Sequence, residues 1–158
     1  MRRTTLPTEL PPPVSDREDS IRRVLQVVLD RAQAVRDRDV GRATTAIDED
    51  VVTFDVLPPL RNVGGEGIRQ RTERWFDGYS RGPCYEIRDL EVVAGDDVAF
   101  AYYLYHVSGT LKDGAEVAMW VRATLGLWNI GGEWRIAHEH DSVPFDPESG
   151  RALLDIQP

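Results

Sequence analysis

The feature that most constrains this chain is a change of period. After Gly82-Pro83 the apolar pattern switches from helical spacing to alternation at every second residue. Alternation means strands, because successive side chains leave opposite faces of the pleat. Four such runs are predicted near residues 84–94, 98–110, 115–129 and 133–143. Gly95-Asp96, Lys112-Asp113-Gly114 and Ile130-Gly131-Gly132 separate them, which makes an antiparallel meander. Helices first and a long sheet second give an α+β layer structure, with one sheet face covered by helices.

The first half supplies those helices. Ser15-Asp16-Arg17-Glu18 has the form of a capping box, with Ser15 as N-cap and Glu18 reaching back. Behind it Ile21, Val24, Leu25, Val28, Ala32 and Val35 recur at helical spacing as far as Arg38. Asp39 to Ile47 reads as a second, short helix. Val51-Val52-Thr53-Phe54 is a brief strand that delivers Asp55 to a loop marked by Pro58, Pro59, Gly64 and Gly65. Ile68, Thr72, Trp75, Phe76 and Tyr79 form the stripe of a third helix. Residues 1–14, with four prolines, read as a flexible tail, 15–147 as one domain and 148–158 as a C-terminal extension.

Composition narrows the function classes. The chain has 158 residues, 41% of them hydrophobic, enough for one domain with a real core. A net charge of −8 argues against a nucleic-acid partner, which needs a basic patch. The single cysteine, Cys84, has no obvious activating neighbour and cannot form an intramolecular disulfide, which suits a reducing compartment. No apolar run approaches the ~20 residues of a membrane span. The start has two arginines but no apolar stretch behind them, unlike a secretory signal. A cytoplasmic protein with no membrane partner is expected.

The most informative stretch is Glu133 to Pro147, E-W-R-I-A-H-E-H-D-S-V-P-F-D-P. Strict alternation puts Trp134, Ile136, His138, His140 and Ser142 on one face, and Arg135, Ala137, Glu139 and Asp141 on the other. His138 and His140 then lie about 7 Å apart, at roughly 3.3 Å of rise per residue. If Lys112-Asp113-Gly114 and Ile130-Gly131-Gly132 are both three-residue loops, position 106 pairs with 120, 104 with 122, 122 with 140 and 124 with 138. His106, His138 and His140 then share a face with Trp120, Arg122, Thr124, Trp134 and Ser142, the predicted pocket wall. The opposite face carries Ala101, Tyr103, Tyr105, Val117, Met119, Val121, Ala123, Leu125 and Leu127, the predicted dimer surface. A slip of one residue in either turn breaks the grouping.

The order of elements, the V-T-F-D strand and the closing W-x-I-x-H-x-H-x-S-x-P-F together resemble the SnoaL-like and ketosteroid-isomerase-like branch of the NTF2-like superfamily, over residues 15–147. The resemblance implies an α+β cone: a curved antiparallel sheet wrapped around N-terminal helices, with a pocket between, and commonly a homodimer through the outer sheet face. It does not imply one reaction, because the fold hosts enzymes and binding modules alike. Asp55 matches the general-base aspartate of ketosteroid isomerases and related cyclases. Their oxyanion hole is not matched: the first helix offers Arg31 and Gln33 where a tyrosine is needed, and the central strand Arg122 or Thr124 where a protonated aspartate is needed. Arg122-Ala123-Thr124 also lacks the acid of the limonene-epoxide-hydrolase pattern.

The catalytic candidates are therefore Asp55, His140 and Arg122, with Asp55 or His140 as base and Arg122 fixing a substrate oxygen. His106, Trp120, His138, Trp75, Tyr79 and Phe54 are the ligand-binding candidates. Each has a plainer reading: Asp55 as a brace for its loop, the histidines as wall residues, the aromatics as core. His-x-His is a real metal-ligand spacing, and His106 or Asp55 could complete it. The neighbouring Trp and Arg crowd and repel a cation, so no metal and no cofactor are expected. Three functions fit: a cofactor-free isomerase, cyclase or lyase acting on a hydrophobic, polyketide-like carbonyl compound; a carrier of a small hydrophobic ligand; or an assembly domain. The polar-aromatic face favours the first two.

Overall fold

The computed structural model describes residues 14–158; the tail expected over residues 1–14 lies almost wholly outside them. Helix α1 (Val14–Arg36) is followed by α2 (Val40–Thr44), strand β1 (Ile47–Phe54), a two-residue β2 (Asn62–Val63) and α3 (Gly65–Asp77). Strands β3 (Tyr79–Ala94), β4 (Val98–Leu111), β5 (Glu116–Ile130) and β6 (Glu133–Ser142) make the meander. The chain is already helical at Val14, so Ser15 lies within the first turn rather than at the cap. Tyr79 opens β3 instead of closing α3.

The sheet has the order β2-β1-β6-β5-β4-β3. Its four long strands are antiparallel neighbours, as the alternation predicts, while β1 pairs parallel to β6. That parallel pair, together with β2, makes the sheet mixed. The sequence expectation missed it because β1 is short and its partner lies some eighty residues away.

Two turns set the registers. Between β4 and β5, Lys112-Asp113-Gly114 forms the expected loop, Gly114 has φ 89, and His106 faces Trp120 as predicted. Between β5 and β6 the loop is only Gly131-Gly132, with φ values of 60 and 89, and Ile130 pairs with Glu133. Two successive positive φ angles are the demand of a type I′ hairpin, which glycine meets without strain.

A bulge then intervenes. Leu127 pairs with Ile136 but Gly126 pairs with His138, leaving Ala137 as an extra residue in β6. One extra residue reverses the facing of everything beyond it. Trp134 and Ile136 therefore point inward before the bulge, and Glu139 and Asp141 point inward after it.

The odd-numbered positions of β4 and β5 form the inner face: Ala99, Ala101, Tyr103, Tyr105 and Val107, then Val121, Ala123, Leu125 and Leu127. Helix α1 contributes Val24 and Val28 to the same core. Leu125, Leu127 and Ile136 are fully buried there, each burial worth about 1.5–3 kcal/mol. The face expected to join two copies is thus the core. An apolar face with several alanines is the one a helix can approach closely, and that signal outweighs the polar-aromatic face opposite. Gly109 serves the same close packing, since a Cβ there would sit 2.8 Å from Tyr79 Cδ1.

Candidate functional site

Between the inner sheet face and the helices lies a cavity of about 350 Å³, within the size range of small-molecule sites. Its apolar walls include Ile68 and Trp75 of α3, Val107 of β4 and Met119 of β5. Phe54, Asp55, Val56 and Leu57 border it where the chain leaves β1. Two β6 residues, Glu139 and Asp141, enter from the sheet because of the bulge at Ala137.

Glu139 is held by Arg31 of α1. The guanidinium donates two parallel bonds, Nη1 to Oε1 and Nη2 to Oε2, both 2.8 Å. Their side chains are 22% and 11% exposed, so the bidentate geometry must offset a large desolvation cost.

Asp141 has no such cation of its own. Tyr105 donates its hydroxyl proton to Asp141 Oδ2 at 3.2 Å, while Oδ1 is closed off from solvent without a hydrogen-bond partner. Burial, reinforced by the negative charge of Glu139, raises the Asp141 carboxyl well above the ordinary carboxylate range, with Arg31 opposing. The protonated form is favoured, and it carries an O–H that nothing in the protein accepts. Tyr105 is raised likewise, by burial and then by Asp141, so it stays a neutral donor. Its ring stacks on Tyr85 with centroids 4.6 Å apart, which fixes the hydroxyl's direction.

Asp55 sits in a different environment. Its Oδ2 accepts from Arg71 Nη2 at 3.0 Å and its Oδ1 from the Leu57 amide at 3.1 Å. Arg71 also donates to the Pro58 carbonyl at 3.3 Å, tying α3 to the loop after β1.

The structure brings Asp55, Phe54 and Trp75 to the cavity. Tyr79 is buried behind it, edge-on to Trp75 with centroids 6.1 Å apart. His106, Trp120, Arg122, His138 and His140 are not among the residues lining it. They do share one face as expected, with Thr124 pairing to His140, but it is the outer one. There His106 and Trp120 stand 5.0 Å apart, and Phe54 meets His138 and His140 edge-on at 4.9 and 5.5 Å. His138 Nδ1 lies 2.8 Å from the Val52 carbonyl and therefore donates to it. Arg122 and His140 are exposed. Trp134, expected beside the histidines, points into the core.

The β5–β6 turn has two residues rather than three, and the bulge cancels that difference for the histidines and the acids while leaving Trp134 reversed. Glu139, Asp141 and Tyr105 therefore keep the face that alternation assigns them, but that face turns inward rather than outward, and the Arg31–Glu139 and Arg71–Asp55 pairs were not foreseen. One signal was available: Gly126 interrupts an otherwise apolar strand, and an isolated strand glycine marks a bulge or a close approach.

Among the described residues, no group of three or more His, Cys, Asp or Glu is arranged to hold a metal ion, and no helix is long and apolar enough to cross a membrane.

A curved sheet closing over helices around one polar-floored cavity defines the NTF2-like cone, a class of small-ligand pocket folds. The family model for the SnoaL-like domain matches residues 24–146, and the chain belongs to that family. An NTF2-like protein of unknown function from Pseudomonas putida KT2440 is 30% identical, with a TM-score of 0.81 over 89% of this chain and 98% of that one. A ketosteroid isomerase-like protein from Erwinia carotovora is 18% identical, with a TM-score of 0.68 over 78% and 95% of the two chains. The association domain of CaMKII from C. elegans is 17% identical, with a TM-score of 0.62 over 81% and 98%. These two distant likenesses establish fold alone. No curated protein matches the chain significantly.

Proposed function

We propose that this protein is a cofactor-free acid–base enzyme of the isomerase, cyclase or lyase type, acting on a hydrophobic carbonyl compound. The observation that carries the reading is the contrast between two acids of one cavity. Asp141 is buried without a cation of its own and favours its protonated form, whereas Asp55 is ion-paired with Arg71. A buried acid that favours its protonated form, beside a second carboxylate held in an ion pair, suits a division of labour between acid and base. In this reading Asp55 removes the proton from the carbon next to the carbonyl. Protonated Asp141 donates to the oxygen, whose negative charge grows as the enolate forms, and Tyr105 donates there by turning its one O–H proton from Asp141 to the substrate. They supply the tyrosine and protonated aspartate that the sequence reading sought on α1 and at Arg122 or Thr124.

Removal and return of a carbon-bound proton can be followed without knowing the natural substrate. In D2O, the protein should accelerate exchange of the α-protons of 2-tetralone, an apolar bicyclic ketone, as followed by NMR. Saturable binding of 2-tetralone without accelerated exchange would leave the carrier reading. One observation favours that second reading: both Asp55 oxygens already accept hydrogen bonds, from Arg71 and Leu57.

The functional unit in this reading is a homodimer joined through the outer sheet face. In the single chain that face leaves Phe100 45%, Tyr102 47% and Trp128 57% exposed, more aromatic surface than an isolated domain gains from showing to water.

A further inference from the structure

The charges lining the cavity are unequal. Three arginines line it, Arg31, Arg71 and Arg74. Arg31 is committed to both oxygens of Glu139, and Arg71 to Asp55 and the Pro58 carbonyl. Arg74 forms no ion pair or side-chain hydrogen bond among the described residues. It follows Arg71 by three positions on α3, so the two share a helix face. Arg74 is exposed where Arg31 is not, which puts it at the rim while the Tyr105–Asp141 pair lies on the sheet side. Trp75, Ile68, Val107 and Met119 line the space with apolar surface.

We infer that the cavity selects an acid: a flat apolar molecule with a carboxylate at Arg74 and a carbonyl oxygen at Tyr105 and Asp141. This rests on the carbonyl-pocket reading above and adds the ligand's charge. A chain of net charge −8 repels anions at long range. Preference for an acid therefore has to arise locally, within a Debye length of about 8 Å, where an unpaired guanidinium can form a forked pair with a carboxylate. Burial of Asp141 acts in the same direction, since it works against a third negative charge beside Asp55 and Glu139 where three arginines line the cavity.

The test compares 4-acetylbenzoate with its methyl ester, which differ only in the charged end, by calorimetric titration of the full chain. The acid is expected to bind the wild type about tenfold more tightly, or about 1.4 kcal/mol. Arg74→Gln should erase that preference by weakening the acid while leaving the ester's affinity unchanged. Equal affinities in the wild type, or equal weakening of both probes in Arg74→Gln, would overturn the inference while sparing the carbonyl pocket. Binding of the acid through Arg74 with no loss in Tyr105→Phe would instead overturn the carbonyl reading and keep the acid preference. Failure of both probes to bind would overturn both.

Discussion

Tyr105 donates a 3.2 Å hydrogen bond to Asp141 Oδ2 and leaves Oδ1 buried with no acceptor or donor in reach. A carboxyl held this way is a liability to folding that makes sense only if something else uses it. The raised Asp141 carboxyl binds its proton more tightly in the folded than in the unfolded chain. Its contribution to stability is therefore greatest below the unfolded value of about 3.9 and falls as pH rises toward the folded value. Asp141→Asn should remove that slope. Thermal melts from pH 4 to 8 should show the variant gaining on the wild type with pH, by about 1–3 kcal/mol at neutrality. A variant that loses ground to the wild type as pH rises would contradict the assignment.

The Arg31–Glu139 pair predicts a non-additive stability cycle. Arg31→Met alone leaves a buried carboxylate uncompensated and should cost about 3–5 kcal/mol in urea unfolding. Arg31→Met with Glu139→Leu should recover most of that, because the remaining side chains are apolar. Additive losses would mean that the two charges act separately.

Catalysis should depend on the inner face and ignore the outer one. Asp55→Asn should slow α-proton exchange about 10²–10⁴-fold, the usual worth of a general base. Tyr105→Phe should slow it as well, by removing an oxygen donor. Arg122→Met and His140→Gln, both exposed on the far side of the sheet, should leave the rate unchanged. An effect at His140 comparable to that at Asp55 would place the chemistry elsewhere.

The outer face carries its own prediction. Tyr102→Glu combined with Trp128→Glu should convert a dimer to a monomer in light scattering without altering the circular-dichroism spectrum. A wild type already monomeric at micromolar concentration would remove the dimer from the functional reading.

Most of this fold was legible because its elements obey their own periods. Val24 and Val28 mark α1, Leu125 and Leu127 mark a buried strand face, and Lys112-Asp113-Gly114 sets the β4–β5 hairpin correctly. Asp55 was legible as a residue that reaches the cavity because it follows a strand and precedes a loop of Pro and Gly. The acidic floor was not, for a physical reason. Alternation assigns residues to two faces but does not say which face the helices cover; the short turn and the bulge at Ala137 cancel for Glu139 and Asp141 and reverse only Trp134 and Ile136. The histidines drew attention as chemically versatile residues, yet His138 is anchored to Val52 on the far side.

The extra residue at Ala137 gives the last strand something like a reading frame. Upstream of it the inward set is Trp134 and Ile136; downstream it is Glu139 and Asp141 rather than His138 and His140. Deleting Ala137 would close the bulge and leave Glu139 opposite Leu125, still facing the cavity; pairing straight through Ala137 would instead put His138 and His140 on the cavity floor with no change of sequence. Relatives that keep these letters but pair the strand without a bulge can therefore present different chemistry. In comparing them, whether the strand bulges between the Gly-Gly turn and the closing Ser-Val-Pro carries as much meaning as the residues' identity.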